Sequence, residues 1–168
     1  MPSSIAQYNH PFYFNAADSL AKATELYEAE SYELAINVLD QFHPGDTNIT
    51  LVLEMKGRAL YTQDEYKQAL DVAKYGLKLA RGNEPFFTNL LASSYSKLDS
   101  TEAAIVAYNE GLEKYPSDFA LHYSLGKMYY DLGEKVKAQE YFHKVIELNP
   151  YHFYSHYFLS ILAYDNEQ

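Results

Sequence analysis

The sequence contains no cysteine among its 168 residues. This absence excludes disulfides, zinc–thiolate sites and thiol nucleophiles. It does not indicate a compartment, because a cysteine-free chain suits both the cytoplasm and an exported location. Tryptophan is also absent, whereas tyrosine occurs 18 times. Tyrosine gives a large contact area at a low cost in conformational entropy, and it is favoured in interfaces.

Positive charge is scarce. The chain has 13 lysines and arginines against 23 aspartates and glutamates, which gives a net charge of -10. A basic surface that could neutralise phosphates is therefore missing, and we expect no nucleic-acid partner. An anionic membrane surface would repel the chain for the same reason.

Long apolar runs are missing as well. The longest ones fall well short of the ~20 residues needed to span a bilayer. The first residues lack the positive region and the apolar run of a signal peptide. We expect a soluble globular domain without membrane insertion and with the cytoplasm as the default location. Export stays possible if a signal peptide has been removed.

The chain repeats itself at a spacing of 34 residues. The matching pairs in the second half are Leu91 and Leu125, Tyr95 and Tyr129, Ala104 and Ala138, Tyr108 and Phe142, and Pro116 and Pro150. Within one copy, Gly126 and Ala138 are twelve residues apart. Gly57 and Ala69 have this separation in a copy that is 35 residues long, and Ala23 and Ala35 have it in an earlier copy. Four copies are visible, beginning near Ala16, Thr50, Pro85 and Phe119.

The spacing Leu125-Gly126-x-x-Tyr129, Ala138-x-x-x-Phe142, Pro150 resembles the tetratricopeptide repeat. The resemblance covers residues 16–164 and implies an all-α fold, a right-handed superhelix of antiparallel helix pairs. It divides the chain into an aromatic segment at 1–15, repeats at about 16–49, 50–84, 85–118 and 119–150, and a fifth first helix with a tail at 151–168. The sequence departs from the pattern at Thr88 and His122, where the family usually has a large aromatic residue.

Close helix packing explains the small residues of the pattern. Gly57 and Gly126 lie where a first helix touches its partner, and a larger side chain there would cost ~1–3 kcal/mol by overpacking. Pro116 and Pro150 end their units because proline cannot continue a helix. In the first copy, the second helix runs into residues 42–45, Phe-His-Pro-Gly, and must stop early.

Two aromatic segments flank the four copies. The residues of 10–14, His-Pro-Phe-Tyr-Phe, are expected to cap the first helix pair; the alternative is a strap that enters a groove. In the C-terminal segment 151–164, Phe153 aligns with Phe119 and Tyr157 with Tyr123. This segment is therefore predicted to be the first helix of a fifth repeat. A terminal helix normally carries a polar outer face, and the sequence of this one indicates none.

The resemblance implies that the outer face of each first helix lines a concave groove. The residues of this face that we predict to bind a partner are Arg58, Tyr61, Phe86, Asn89, Lys97, Tyr123, Lys127, Tyr130, Tyr154, Tyr157, Ile161 and Tyr164. The cations make the middle of the groove positive, and the tyrosines make its C-terminal end apolar. This pattern favours a protein or peptide segment with acidic and aromatic residues. The alternative is that these are ordinary family residues and solvated charges.

Motifs for catalysis are missing from the sequence. It has no Gly-rich phosphate loop, no GxSxG elbow and no HExxH, so we predict no enzymatic activity and no cofactor. His152 and His156 could share a helix face, but two histidines without carboxylates are a weak metal motif, and we predict no metal. A Lys followed four residues later by Asn, which clamps chaperone tails in this family, is absent from the first helices.

The leading prediction is a non-enzymatic scaffold that binds protein segments in its groove. One alternative is a homodimer that buries the apolar face of the C-terminal helix, formed by Tyr154, Tyr157, Phe158, Ile161 and Tyr164. Another alternative is that the chain is the repeat region of a larger protein. An exposed apolar surface of more than a few hundred Å² usually marks an interface, which is compatible with both alternatives.

Overall fold

The computed structural model describes residues 15–79 and 84–165. Within these ranges the chain forms helices and no strands. The helices are α1 (Ala16–Glu28), α2 (Tyr32–Leu39), α3 (Ile49–Thr62), α4 (Tyr66–Leu79), α5 (Glu84–Lys97), α6 (Thr101–Lys114), α7 (Phe119–Asp131), α8 (Lys135–Leu148) and α9 (Phe153–Asp165). The all-α prediction is confirmed. The aromatic residues at 10–14 lie outside the described ranges.

Each helix packs on its neighbour in sequence, and the first helices of successive pairs also pack on one another. Thus α3 contacts α5, and α5 contacts α7. A single pair cannot bury its own apolar side, so the pairs stack into a solenoid with a continuous core. The core includes the fully buried side chains Phe87, Leu121, Leu125 and Phe142. The predicted superhelix of helix pairs is confirmed.

The turn between the two helices of each pair repeats in the backbone. Glu30, Asp64, Asp99 and Gly133 occupy equivalent positions 34 or 35 residues apart, and all have φ between 57° and 78°. Glycine reaches this left-handed region without strain, and aspartate reaches it more readily than most other residues. The repeat period is therefore visible in the backbone as well as in the sequence.

Small residues allow the helices to approach closely. A Cβ on Gly126 would lie 2.9 Å from Tyr141 Cβ and 3.2 Å from the Phe142 ring, so a small residue is needed between α7 and α8, as predicted. Gly57 has a different neighbour. A Cβ there would lie 2.4 Å from Leu90 Cδ2 on α5, so this glycine is required by packing between repeats.

The second helix of the first pair is short. α2 has 8 residues, whereas α4 has 14. This confirms the early stop, after which Phe42 is buried against Leu39 and Val52. The missing turns leave a cleft of about 370 Å³ on this side of the molecule.

The last helix packs on α8 in the manner of a fifth first helix. Leu162 is fully buried against Ala138 and Phe142, and the Phe158 ring stacks on the Phe142 ring at 5.1 Å. The prediction of a further C-terminal helix is confirmed. Among residues 15–79 and 84–165, we find no helix with the length and apolar character that a membrane crossing requires.

Candidate functional site

Four of the predicted binding residues line one groove. Arg58, Tyr61, Phe86 and Asn89 surround a space of about 720 Å³, together with Ser93. We call these five residues the Arg58 groove. The wall is completed by Tyr27, Thr62, Pro85, Leu90, Asp118 and Ala120. The groove is thus formed by first helices of successive repeats, as the resemblance implies.

The cation of the groove lies over an aromatic face. The Arg58 guanidinium carbon is 4.6 Å from the centre of the Phe86 ring. A cation in this position is attracted by the ring, and the stacked guanidinium keeps its planar fork of donors. Arg58 is exposed, so these donors can reach a carboxylate in the groove.

A network of hydroxyl groups lies beside the cation. The Ser93 hydroxyl donates to Asn89 Oδ1 at 3.1 Å and lies 2.7 Å from the Tyr108 hydroxyl. Ser93 has one hydroxyl hydrogen, so Tyr108 is the donor of the second bond. The Asn89 amide oxygen therefore faces Ser93, and its NH₂ group points away from this bond.

Burial keeps the phenols of the network neutral. Desolvation raises the pKa of Tyr108 to about 12, although hydrogen bonds with Ser93 and Ser124 oppose the shift. Desolvation also raises the pKa of Tyr61, which is hydrogen-bonded to Ser93. Both phenols stay protonated at physiological pH and can donate hydrogen bonds.

The two lysines predicted for the groove lie outside the Arg58 groove. The Lys97 ammonium is 6.0 Å from the centre of the Tyr66 ring. The Lys127 ammonium contacts both carboxylate oxygens of Asp131, at 2.7 and 2.9 Å. The charge of Lys127 is therefore already compensated within its own helix.

The predicted residues of the C-terminal end form a second group. Tyr123, Tyr130 and Ile161 are half-buried. The exposed side chains of this end are Phe153, Tyr154, Tyr157 and Tyr164, at 72%, 58%, 52% and 65% of their surface. We call these four residues the α9 aromatic surface.

The rings around this surface form a closed circuit. Tyr123 lies 6.3 Å from Tyr154, Tyr154 lies 5.5 Å from Phe153, and Phe153 lies 6.5 Å from Tyr157. Tyr157 lies 5.6 Å from Phe158, which lies 6.5 Å from Tyr123. All these distances between ring centres lie in the range of attractive aromatic pairs. The circuit joins three of the four exposed rings, Phe153, Tyr154 and Tyr157, to the half-buried rings of Tyr123 and Phe158.

Three histidines stabilise the chain locally. His156 Nε2 lies 2.8 Å from the carbonyl oxygen of Pro150, and His122 Nε2 lies 2.9 Å from that of Pro116. These two bonds are equivalent, one repeat apart, and they explain the departure from the family pattern at His122. No group of three side chains that could hold a metal ion occurs among the described residues.

His152 caps the start of α9. Its Nδ1 accepts a hydrogen bond from the Ser155 backbone N–H at 3.3 Å and lies 2.9 Å from the Ser155 hydroxyl. A side-chain acceptor here satisfies one of the free N–H groups of the first turn. Burial lowers the pKa of His152, and the neighbouring His156 adds to this effect.

The face of α9 that corresponds to the α8-contacting face of α7 is exposed and carries two polar side chains. On α7, His122, Gly126 and Tyr129 face Tyr141 of α8. The residues 34 positions later are His156, Ser160 and Ala163, and all three are exposed. A further helix packed like α8 would cover these three residues and leave the α9 aromatic surface open.

Two residues at these candidate sites, Tyr108 and Phe153, are not among those predicted from the sequence. Tyr108 lies on α6, a second helix, and its hydroxyl contacts Ser93 at the groove. Its position four residues after Ala104 places it on the same helix face, one turn further along, and this spacing could have predicted that it points towards α5. Phe153 was assigned by register to the start of α9, and only the structure shows its ring exposed beside Tyr157.

Known proteins share the repeat and the fold. Residues 119–152 match the family model described as "Tetratricopeptide repeat". The human protein O-mannosyl-transferase TMTC2 is 29% identical over 110 residues, which are 64% of this chain and 13% of that protein. The chain spans about 13% of the length of the curated relatives it matches.

Two solved structures illustrate the similarity of the fold. MamA 41-end from Desulfovibrio magneticus RS-1 has a TM-score of 0.69 and 22% identity, over 90% of this chain and 85% of that one. The first TPR of Spaghetti (RPAP3), bound to the HSP90 peptide SRMEEVD, has a TM-score of 0.61 and 24% identity, over 73% of this chain and 97% of that one. With the helix pairs α1–α2 to α7–α8 and the additional α9, the chain has the fold of tetratricopeptide repeat structures, and residues 119–152 match one repeat of that family.

Proposed function

We propose that the protein is a non-enzymatic scaffold that binds an extended protein segment in its concave face, with the Arg58 groove as the main site. Helical repeat solenoids present extended concave surfaces of this kind to their partners. The observation that carries the proposal is the Arg58 guanidinium over the Phe86 ring, beside the Asn89 amide and in a space of about 720 Å³.

The chemistry of the groove suits a segment with a carboxylate next to an apolar or aromatic residue. Arg58 offers a bidentate donor for the carboxylate, and Phe86 and Tyr61 offer apolar area for the neighbouring side chain. Asn89 suits the peptide backbone, because its amide can donate to a carbonyl group. The bound HSP90 peptide SRMEEVD of the Spaghetti (RPAP3) structure is a carboxylate-rich example from a protein of the same fold.

A library of random peptides of about twelve residues, displayed on phage, tests this function. Peptides enriched on the wild-type protein are synthesised, and their affinities are measured for the wild type and for Arg58→Glu. We expect Arg58→Glu to bind at least about tenfold more weakly, because it places a like charge against the ligand carboxylate.

Lys144→Glu is the matched control. It reverses a charge on α8, where Lys144 is exposed and contacts Glu147 at 2.8 Å. Its affinity should equal that of the wild type. Equal binding to the Arg58→Glu variant would show that the groove is not the site, and a failure to enrich any peptide would overturn the proposed function.

A homodimer through the α9 aromatic surface is the alternative function. Its support is the exposure of four rings on one helix. Light scattering distinguishes it, because a protein that is monomeric at high micromolar concentration cannot function through this dimer.

A further inference from the structure

The α9 aromatic surface differs in chemistry from the Arg58 groove. Its polar atoms are the hydroxyl groups of Tyr154, Tyr157 and Tyr164, and it contains no charged side chain. The nearest cation described above, Lys127, lies 6.0 Å from the Phe158 ring and is bonded to Asp131. This surface therefore gives an acidic ligand no charge to pair with.

The net charge of the whole chain also disfavours an acidic ligand here. At -10, the protein repels negatively charged segments except where a local cation compensates. Arg58 gives such compensation in its groove, and the α9 aromatic surface has none. Charge complementarity thus disfavours an acidic ligand for this surface.

The four exposed rings alone do not amount to a stable dimer interface. Four rings that are more than half exposed present on the order of 500 Å². A stable protein–protein interface of standard size takes about 800 Å² from each partner.

The hydrogen-bonding groups of the surface restrict the class of ligand further. Tyrosine hydroxyls donate to carbonyl groups, and aromatic faces pack on pyrrolidine rings. A proline-rich segment has carbonyl acceptors and few N–H donors, and its polyproline II conformation leaves these carbonyls free. Aromatic-lined grooves are a general recognition surface for this conformation.

The rings are also held in place before any ligand binds. Phe153 and Tyr157 are nearly parallel, with 13° between their planes, and the circuit through Tyr123 and Phe158 fixes them. A rigid surface and a rigid ligand both lose little conformational entropy on association. The 13 residues of α9 are about 20 Å long, which six to seven residues of polyproline II cover at about 3.1 Å each.

We propose that the α9 aromatic surface binds a proline-rich segment without acidic residues, in the polyproline II conformation. The inference rests on the proposed function, since it assigns a second part of the concave face to the same kind of extended partner. It gives the scaffold two chemically different subsites: a carboxylate subsite at Arg58 and a proline subsite at α9.

The test uses the full chain and an oligoproline of about eight residues, acetylated and amidated so that it is uncharged. Its affinity is measured by titration calorimetry against that of a Gly-Ser peptide of equal length with the same end groups. We expect at least about tenfold tighter binding of the oligoproline, because the flexible Gly-Ser chain loses more conformational entropy and has no rings to pack.

Variants test whether oligoproline binds at the α9 aromatic surface. The double variant Tyr154→Ala, Tyr157→Ala should weaken oligoproline binding at least about tenfold, as expected for aromatic anchors. Tyr75→Ala removes a tyrosine of α4 that lies outside both sites, and it should leave the affinity unchanged. Because Tyr154 and Tyr157 are more than half exposed, the double variant should keep the wild-type melting temperature. Tyr157→Phe removes one hydroxyl and keeps the ring, so it should fold like the wild type. We expect it to bind oligoproline a few-fold more weakly, which tests the site even if the double variant unfolds.

Each of the following outcomes would contradict the proline subsite, and they differ in what they imply for the proposed function. If oligoproline binds no better than Gly-Ser while the phage-selected peptides still depend on Arg58, the proline subsite is wrong and the proposed function stands. If neither probe binds, both fail. If light scattering shows a dimer that Tyr154→Ala, Tyr157→Ala dissociates, the occupant of the surface is a second copy. If Tyr75→Ala weakens oligoproline binding as much as the double variant does, the binding is not at α9.

Discussion

The hydroxyl oxygens of Ser93 on α5 and Tyr108 on α6 lie 2.7 Å apart and join the two helices of one pair. Tyr108 is 2% exposed and Ser93 lines the groove, so this partly buried bond lies at the base of the Arg58 groove. The Ser93 hydroxyl in turn donates a hydrogen bond to the Asn89 amide oxygen. A buried residue of a second helix thereby sets the direction of a polar group at the groove.

Tyr108→Phe tests this bond. The variant keeps the ring and removes the hydroxyl, and we expect the free energy of unfolding to fall by about 1–2 kcal/mol, as for a buried hydrogen bond. Urea denaturation measures the change. In a Ser93→Ala background the same substitution should have a smaller effect, because its partner is already gone. Equal effects in both backgrounds would show that the two hydroxyls are not coupled.

Gly126→Leu tests the packing of α7 on α8. The new Cβ would lie 2.9 Å from Tyr141 Cβ, closer than Cβ atoms approach, and 3.2 Å from the Phe142 ring, and overpacking of this kind costs about 1–3 kcal/mol. Leucine is the better helix former by somewhat under 1 kcal/mol, which offsets only part of this cost. We expect a clear drop in the melting temperature, measured by circular dichroism. Gly45→Leu is the control, because a Cβ there has no neighbour within 4 Å; a similar drop for both variants would contradict the proposed packing.

His152→Asn tests the pH dependence of α9. Burial lowers the pKa of His152 in the folded state, so the unfolded chain binds more protons as the pH falls through about 6.5. Stability is therefore complete above this pH, decreases on acidification, and levels off below the lowered pKa of the folded state. Asparagine also caps a helix and does not titrate.

The measurement for His152→Asn is the melting temperature between about pH 7.5 and 5. We expect the variant to lose less stability on acidification than the wild type. His43→Asn changes the number of histidines equally and serves as the control. If the wild type and His152→Asn show the same slope, the cap does not contribute to the pH dependence.

The fold could be predicted because its determinants are local and repeated. Gly126 and Ala138 mark the packing of a pair, and Pro116 marks its end, so a spacing of 34 residues was enough to place the helices. The early end of α2 followed from the residues after Leu39. Even the backbone turn at Asp99 has its counterparts one repeat away on both sides.

The site could be predicted only in part, because side-chain partners do not follow from the period. Helical register grouped Arg58 with Tyr61, and it also grouped Lys127 with the binding residues. The spacing of Lys127 and Asp131 permits an ion pair, but many such pairs on helix faces are solvated, so only the structure assigns this one. The contact of Gly57 with Leu90 depends on how repeats stack, which no single repeat encodes.

On α9, the exposed residues that an added helix would contact differ from the residues of the exposed tyrosine surface. His156, Ser160 and Ala163 would accept an added helix, whereas Tyr154 and Tyr157 point to a different side. Repeats can therefore be grafted onto this end as interchangeable modules while the tyrosine surface is retained. Lengthening the array and changing the exposed tyrosines would thus involve different residues of α9, and a designer could vary one without redesigning the other.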